Sequence, residues 1–181
     1  GYRYVVQPLQ DRGASDVLFD MNSRYDVPGY GYQIAMGETA LAESWQSRDY
    51  LSHNHCMLGH LYSWLFSGIG GISQESGSTA YKRIVIDPQI VSDLRDARVS
   101  FRSPYGLIRS EWKDAPDEFV QTVEIPANAT ARICLPATDP AKVTESGKPV
   151  SGRKDITVKN GADGRIELHV GSGVYRIAVE K

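Results

Sequence analysis

The run 57–88, MLGHLYSWLFSGIGGISQESGSTAYKRIVIDP, changes its hydrophobic period partway along, and that change decides how the chain is read. Met57, Leu58, Leu61, Leu65 and Ile69 recur at helical spacing, whereas Arg83-Ile84-Val85-Ile86 opens a strand that Pro88 closes. Trp64, Phe66 and Ile72 make the helix apolar on nearly every side, which predicts deep burial. The glycines at 68, 70 and 71 follow the helix instead of opening one, so they suit a C-cap and not a phosphate loop. Ser73 to Ser78 is small and polar, the character of a domain boundary.

Working back from that run, residues 1 to about 80 read as helical. Ser15-Asp16 can cap a helix carrying Val17, Leu18 and Met21, and Pro28-Gly29 ends the loop that follows it. Glu38–Trp45 supports a second helix, and Ser52 or Asn54 can cap a third. Three such helices cannot bury their own apolar faces, so this half is expected to be part of a larger helical assembly. Working forward, apolar residues alternate with polar ones: Ala97, Val99 and Phe101; Ile108 and Trp112; Phe119, Val123 and Ile125; Ala131, Ile133 and Leu135; Ile166, Leu168 and Val170; Tyr175, Ile177 and Val179. Turn residues separate these runs at Ser103-Pro104-Tyr105-Gly106, Pro126-Ala127-Asn128, Glu145-Ser146-Gly147 and Gly171-Ser172-Gly173. Seven or eight short strands at this spacing predict an antiparallel β-sandwich over 81–181.

Composition narrows the function classes. A net charge of -2 and a pI near 6.1 leave no basic field for a polyanion, so nucleic acid is not an expected partner. No apolar run reaches the roughly 18 residues a membrane span needs, and Gly1-Tyr2-Arg3-Tyr4-Val5-Val6 lacks the pattern of a secretory leader. The two cysteines, Cys56 and Cys134, do not make a disulfide framework and are expected to be reduced and buried. Eight of the ten tyrosines and two of the three tryptophans lie in the first 81 residues, an aromatic supply suited to stacking sugars or to helix packing.

Chemistry-bearing side chains concentrate in Gly37–Gly71. Glu43 stands among Ala40, Leu41, Ala42 and Trp45, apolar company that solvated glutamates usually lack. Glu38 is its rival, although Gly37 beside it marks a helix start where an acid is favourable anyway. His53, His55, Cys56 and His60 invite a metal reading, but the histidines are two and five apart and not paired as HxxxH. On a helix a separation of five turns side chains about 140° apart. No metal and no other cofactor is expected; one histidine should face a polar cavity while the others hydrogen-bond within the protein. A carboxylate, an imidazole and aromatics together are the parts of a sugar-cleaving site. Asn128-Ala129-Thr130 matches a glycosylation acceptor but is equally a ready turn.

Several ordered motifs resemble the C-terminal part of bacterial α-L-rhamnosidases of glycoside hydrolase family 78. They are Asp26-Val27-Pro28-Gly29-Tyr30-Gly31-Tyr32, then Gly37-Glu38-Thr39-Ala40-Leu41-Ala42-Glu43-Ser44-Trp45, and then Asn54-His55-Cys56-Met57-Leu58-Gly59-His60. Ile86-Asp87-Pro88, Ser103-Pro104-Tyr105-Gly106-Leu107-Ile108, Glu111-Trp112 and Ile125-Pro126-Ala127-Asn128 are similar to that family's C-terminal β-domain. The resemblance implies that residues 1–80 are the last helices of an (α/α)6 barrel and 81–181 its appended sandwich. It implies an inverting hydrolase of terminal α-L-rhamnosides, in which Glu43 is the general base and His55 contacts the bound rhamnose. Tyr30 and Trp45 would complete the sugar-binding wall, with Tyr30 standing where relatives often carry tryptophan and Ala42 where some carry another.

Inversion also needs a general acid, with the two carboxyls roughly 6.5–9.5 Å apart. By the resemblance that acid lies upstream of Gly1, so the expected partners are a rhamnose-containing glycoside and the N-terminal part of the same enzyme. The chain alone is then expected to be inactive. A periplasmic or extracellular location follows by analogy, with a cytoplasmic one left open. The rival reading is a non-catalytic carbohydrate-binding or accessory β-sandwich module with a helical docking segment, against which the single Trp and two Tyr beyond residue 81 are a poor stacking supply.

Overall fold

A computed structural model describes residues 1–91 and 93–181. The chain divides into two compact units, Gly1–Leu65 and Phe66–Lys181.

The first unit holds four helices: α1 (Arg3–Asp11), α2 (Ser15–Ser23), α3 (Tyr30–Ala35) and α4 (Leu61–Trp64), with a 3-10 turn at Cys56–Leu58 before the last. Ser15 is not the cap of α2 but its first helical residue, with Ala14 ahead of it. Its buried hydroxyl instead accepts a hydrogen bond from Trp64 Nε1 at 2.8 Å, tying α2 to α4. The expected helix over Glu38–Trp45 does not form; this stretch is a loop. Ala and Leu favour a helix there, but the backbone of 41–43 hydrogen-bonds across to 52–55, a tertiary pairing that overrides local propensity.

The expected third helix is broken into the 3-10 turn, α4 and a π-helical turn at Leu65–Ile69. It is not buried all round either. Trp64 and Leu58 are buried, while Met57, Tyr62 and Leu65 are exposed, as are Tyr4, Val5, Val17, Met21, Tyr25, Ile34, Met36 and Tyr50 elsewhere in the unit. Helices this short and few supply apolar neighbours for one side of each element only.

The second unit is built on two sheets rich in antiparallel pairs. One has the order β1-β2-β6-β10-β9, from β1 (Ile72–Gln74), β2 (Arg83–Ile86), β6 (Thr130–Cys134), β9 (Ile156–Asn160) and β10 (Ile166–Val170). The other has the order β3-β4-β5-β11-β7-β8, from β3 (Asp96–Ser103), β4 (Gly106–Asp114), β5 (Glu118–Ile125), β7 (Val143–Glu145), β8 (Lys148–Pro149) and β11 (Gly173–Glu180). One pairing departs from the antiparallel expectation: β2 runs parallel to β6, with Arg83 opposite Thr130 and Ile86 opposite Ile133. That is the geometric consequence of the long excursion through the other sheet between them.

The alternation read from the sequence is the burial pattern observed. Ile108, Ser110 and Trp112 of β4 point inward, as do Phe119, Gln121 and Val123 of β5 and Ile166, Leu168 and Val170 of β10. Each fully buried Ile, Leu or Phe contributes about 1.5–3 kcal/mol by leaving water. Ser146 and Gly147 both adopt positive φ, 49° and 75°, which makes the β7–β8 link a two-residue hairpin turn of the favoured twist. Two residues after the π-helical turn stands Gly71, whose φ of 71° and close approach to the Asp87-Pro88 backbone admit no side chain. Cys134 is buried as expected, but Cys56, at the start of the 3-10 turn, is exposed.

Candidate active site

The Gly37–His55 loop folds back on itself by main-chain bonds. The Glu43 N–H donates to Ser52 O at 2.8 Å, and the His55 N–H donates to Leu41 O at 2.7 Å. A side-chain bond completes the clasp: the Ser52 N–H donates to Glu43 Oε2 at 3.1 Å. From below, the buried Gln33 of α3 donates its amide to Ser44 O at 3.0 Å. His55 is extended, at φ -134° and ψ 131°, and leads into the 3-10 turn.

This clasp brings two of the expected residues together. His55 Nδ1 lies 4.0 Å from Glu43 Oε2, beyond hydrogen-bond length but within ionic reach. The side chains are 35% and 38% exposed, so Glu43 does not sit in the apolar pocket its neighbours implied. The apolar neighbour Ala42 is itself buried, while the Glu43 carboxylate reaches solvent. Glu43 Oε2 is steered by one backbone N–H, and the carboxylate keeps acceptor capacity that can take a proton from water.

Glu38 has a different environment. Its side chain is only 10% exposed and Oε1 lies 2.7 Å from His53 Nδ1. A carboxylate engaged that closely is a structural anchor and a poor rival to Glu43 as an accessible base. The four candidate metal ligands of the sequence therefore part company: His53 pairs with Glu38, His55 stands by Glu43, Cys56 is exposed, and His60 is half-buried with its Nε2 covered.

Tyr30 and Trp45 come together in a second group. Their ring centroids are 5.2 Å apart and edge-to-face, and Tyr2 joins both, 6.0 Å from Tyr30 and 5.0 Å from Trp45. Burial, with Tyr2 alongside, pushes the Tyr30 phenol well above its ordinary range, so it stays a neutral hydroxyl. Tyr2 Oη donates to Asn22 Oδ1 at 2.8 Å. Trp45 and Tyr2 also line a cleft of about 230 Å³ with Val5, Met21, Asn22, Pro28 and Gly29; Glu43, His55 and Tyr30 do not line it.

Sequence reasoning missed Ser52, Gln33 and the Glu38–His53 pairing. The first two act through backbone groups, for which no motif exists, and His53 was visible only as part of the histidine run.

Known proteins bear on this geometry as follows. The model of the bacterial alpha-L-rhamnosidase 6 hairpin glycosidase domain matches residues 1–69, and that of the bacterial alpha-L-rhamnosidase C-terminal domain matches residues 71–149. An alpha-L-rhamnosidase of Streptomyces avermitilis is 29% identical over 180 residues, covering 94% of this chain and 16% of that protein. One from Formosa agariphila is 26% identical over 186 residues, covering 100% of this chain and 19% of that protein. The chain thus spans under a fifth of either curated relative. Among solved structures, the Streptomyces avermitilis alpha-L-rhamnosidase complexed with L-rhamnose superposes with a TM-score of 0.81 at 29% identity, over 94% of this chain and 16% of that one. The alpha-L-rhamnosidase from Dictyoglumus thermophilum gives a TM-score of 0.85 at 27% identity, over 99% of this chain and 20% of that one.

Proposed function

Because the chain belongs to the bacterial α-L-rhamnosidase family, we propose that it is the C-terminal portion of an inverting enzyme that hydrolyses terminal α-L-rhamnosides. In this reading residues 1–80 complete an (α/α)6 barrel and 81–181 form its appended sandwich. The observation that carries the catalytic part is the Glu43–His55 pair, 4.0 Å apart on a clasped loop.

Glu43 is the general base. Its accessible carboxylate takes a proton from a water as that water attacks the anomeric carbon, while the glycosidic bond breaks on the opposite face. The proton that the leaving oxygen needs comes from an acid on chain upstream of this portion. His55, 4.0 Å from Glu43, holds a ring hydroxyl of rhamnose beside the base. Tyr30 and Trp45 shape an aromatic wall for the sugar. A relative crystallised with L-rhamnose supports the substrate class. The exposed apolar residues of the first unit support a larger helical body around it. A periplasmic or extracellular site of action is consistent with glycan breakdown and is proposed on that ground alone.

The mechanism is tested by following hydrolysis of an aryl α-L-rhamnoside by the intact enzyme with proton NMR. Inversion requires β-L-rhamnose as the first anomer, before mutarotation. First appearance of the α-anomer would replace the base with a nucleophile.

A further inference from the structure

Glu38 and His53 have no part in the chemistry above, yet they close the same loop that carries Glu43 and His55. Glu38 Oε1 and His53 Nδ1 are 2.7 Å apart, and against an ionised carboxylate that ring nitrogen carries the hydrogen and donates. The Glu38 N–H in turn donates to Gln33 O at 3.0 Å, so Glu38 is moored to the end of α3. Gln33 reaches back from α3 to Ser44 O, one residue beyond Glu43. His53 therefore connects the 52–55 run to a helix, one residue after Ser52 and two before His55. The rungs Glu43 N–H to Ser52 O and His55 N–H to Leu41 O fix the spacing of the two runs. The Glu38–His53 bond adds a side-chain tie that runs from between these two rungs to the segment preceding Leu41.

We infer that Glu38 and His53 are a positioning pair that holds the base Glu43 and the sugar-binding His55 in register. This rests on the rhamnosidase reading above. Glu38 acts through the loop and His53, not on substrate. Cutting this tie lets the 37–43 and 52–55 runs shift, and displacements of about 1 Å at reacting groups can cost on the order of 100-fold in rate.

The test uses the intact enzyme carrying Glu38→Ala, His53→Ala, both together, or Glu38→Gln, assayed on an aryl α-L-rhamnoside beside thermal unfolding. Each alanine variant is expected to lose about 10- to 100-fold in kcat/KM with an unchanged melting temperature. The double variant should lose no more than either single one, as partners in one bond do. Glu38→Gln retains an acceptor for the His53 Nδ1–H and should recover most of the activity, which a generic loss of folding would not allow. Full activity in Glu38→Ala overturns the inference, as do multiplicative losses in the double variant or a Glu38→Gln enzyme as impaired as Glu38→Ala. Glu43→Gln separates the two claims: if it is dead while Glu38→Ala is fully active, only the positioning role falls. If Glu43→Gln is active, the base assignment falls and the positioning role with it.

Discussion

Trp112→Phe is the substitution whose cost can be worked most directly from the second unit. The Trp112 ring is 2% exposed, its Nε1 donates to Ile69 O at 2.8 Å, and it stacks on Phe119 at 6.4 Å and 28°. Phenylalanine keeps the stacking but removes the donor, leaving a carbonyl at the end of the π-helical turn buried without it. An orphaned buried acceptor costs about 1–3 kcal/mol. The smaller ring also leaves unfilled volume, for which about 1 kcal/mol is a fair addition among large-to-small changes. The expected destabilisation is therefore about 2–4 kcal/mol. Phe119→Leu, which removes only the aromatic contact and little volume, should cost about 1 kcal/mol. Urea unfolding at 25 °C followed by far-UV circular dichroism measures both, independent of the tryptophan signal, with equal slopes in denaturant as the check. A cost for Trp112→Phe no larger than that for Phe119→Leu would refute the hydrogen bond's role in anchoring the turn.

Gln121 is 0% exposed and no group among the described residues bonds its amide oxygen or nitrogen, so Gln121→Leu should raise stability by about 1–2 kcal/mol in the same assay. Gly71→Ala places a Cβ 2.3 Å from Pro88 N at a φ of 71°, and soluble yield together with melting temperature should fall sharply. Burial pushes the Cys134 thiol up to about 12, so at pH 8 a thiol reagent should label one cysteine of the folded chain, the exposed Cys56, and both after unfolding. The sign of the linked stability follows: the unfolded thiol ionises from about 9 while the folded one stays protonated, so this group erodes stability as pH rises from there towards 12. On the proposal that the general acid is supplied by another part of the enzyme, the 181-residue chain assayed alone on an aryl α-L-rhamnoside should show no turnover.

Much of the second unit was legible because alternation is a direct imprint of a half-buried sheet. Arg83–Ile86 emerges with the bounds read from the sequence, and Ile108, Phe119, Leu168 and Ile177 are buried where the period placed them. The strands that escaped are those with little apolar signal: Ile72–Gln74 is hidden inside a helical-looking run, Val143–Glu145 carries a buried acid, and Ile156–Asn160 buries one residue at a sheet edge. The parallel β2–β6 pairing was not legible, since alternation says which face is buried and nothing about the neighbour.

The first unit was read less well, for a different physical reason at each place. Arg3–Asp11 contains Pro8, a residue that argues against helix, and Tyr30–Ala35 is too short for a period to show. Ala40-Leu41-Ala42 has helical propensity but forms a loop whose backbone at Leu41 and Glu43 bonds to the 52–55 run. The site itself was half legible. Glu43 and His55 were singled out by residue type and resemblance, whereas their closeness depends on Ser52 and Leu41 backbone groups that any residue could supply.

The central claim is that Glu43 activates the attacking water, and the intact enzyme carrying Glu43→Gln tests it most directly. The measurement is kcat on an aryl α-L-rhamnoside beside calorimetric binding of L-rhamnose. Loss of a general base lowers kcat by about 10²- to 10⁴-fold, and rhamnose affinity should be largely kept because His55 and the aromatic wall remain. Hydrolysis at the unsubstituted rate would contradict the claim and move the base to another residue.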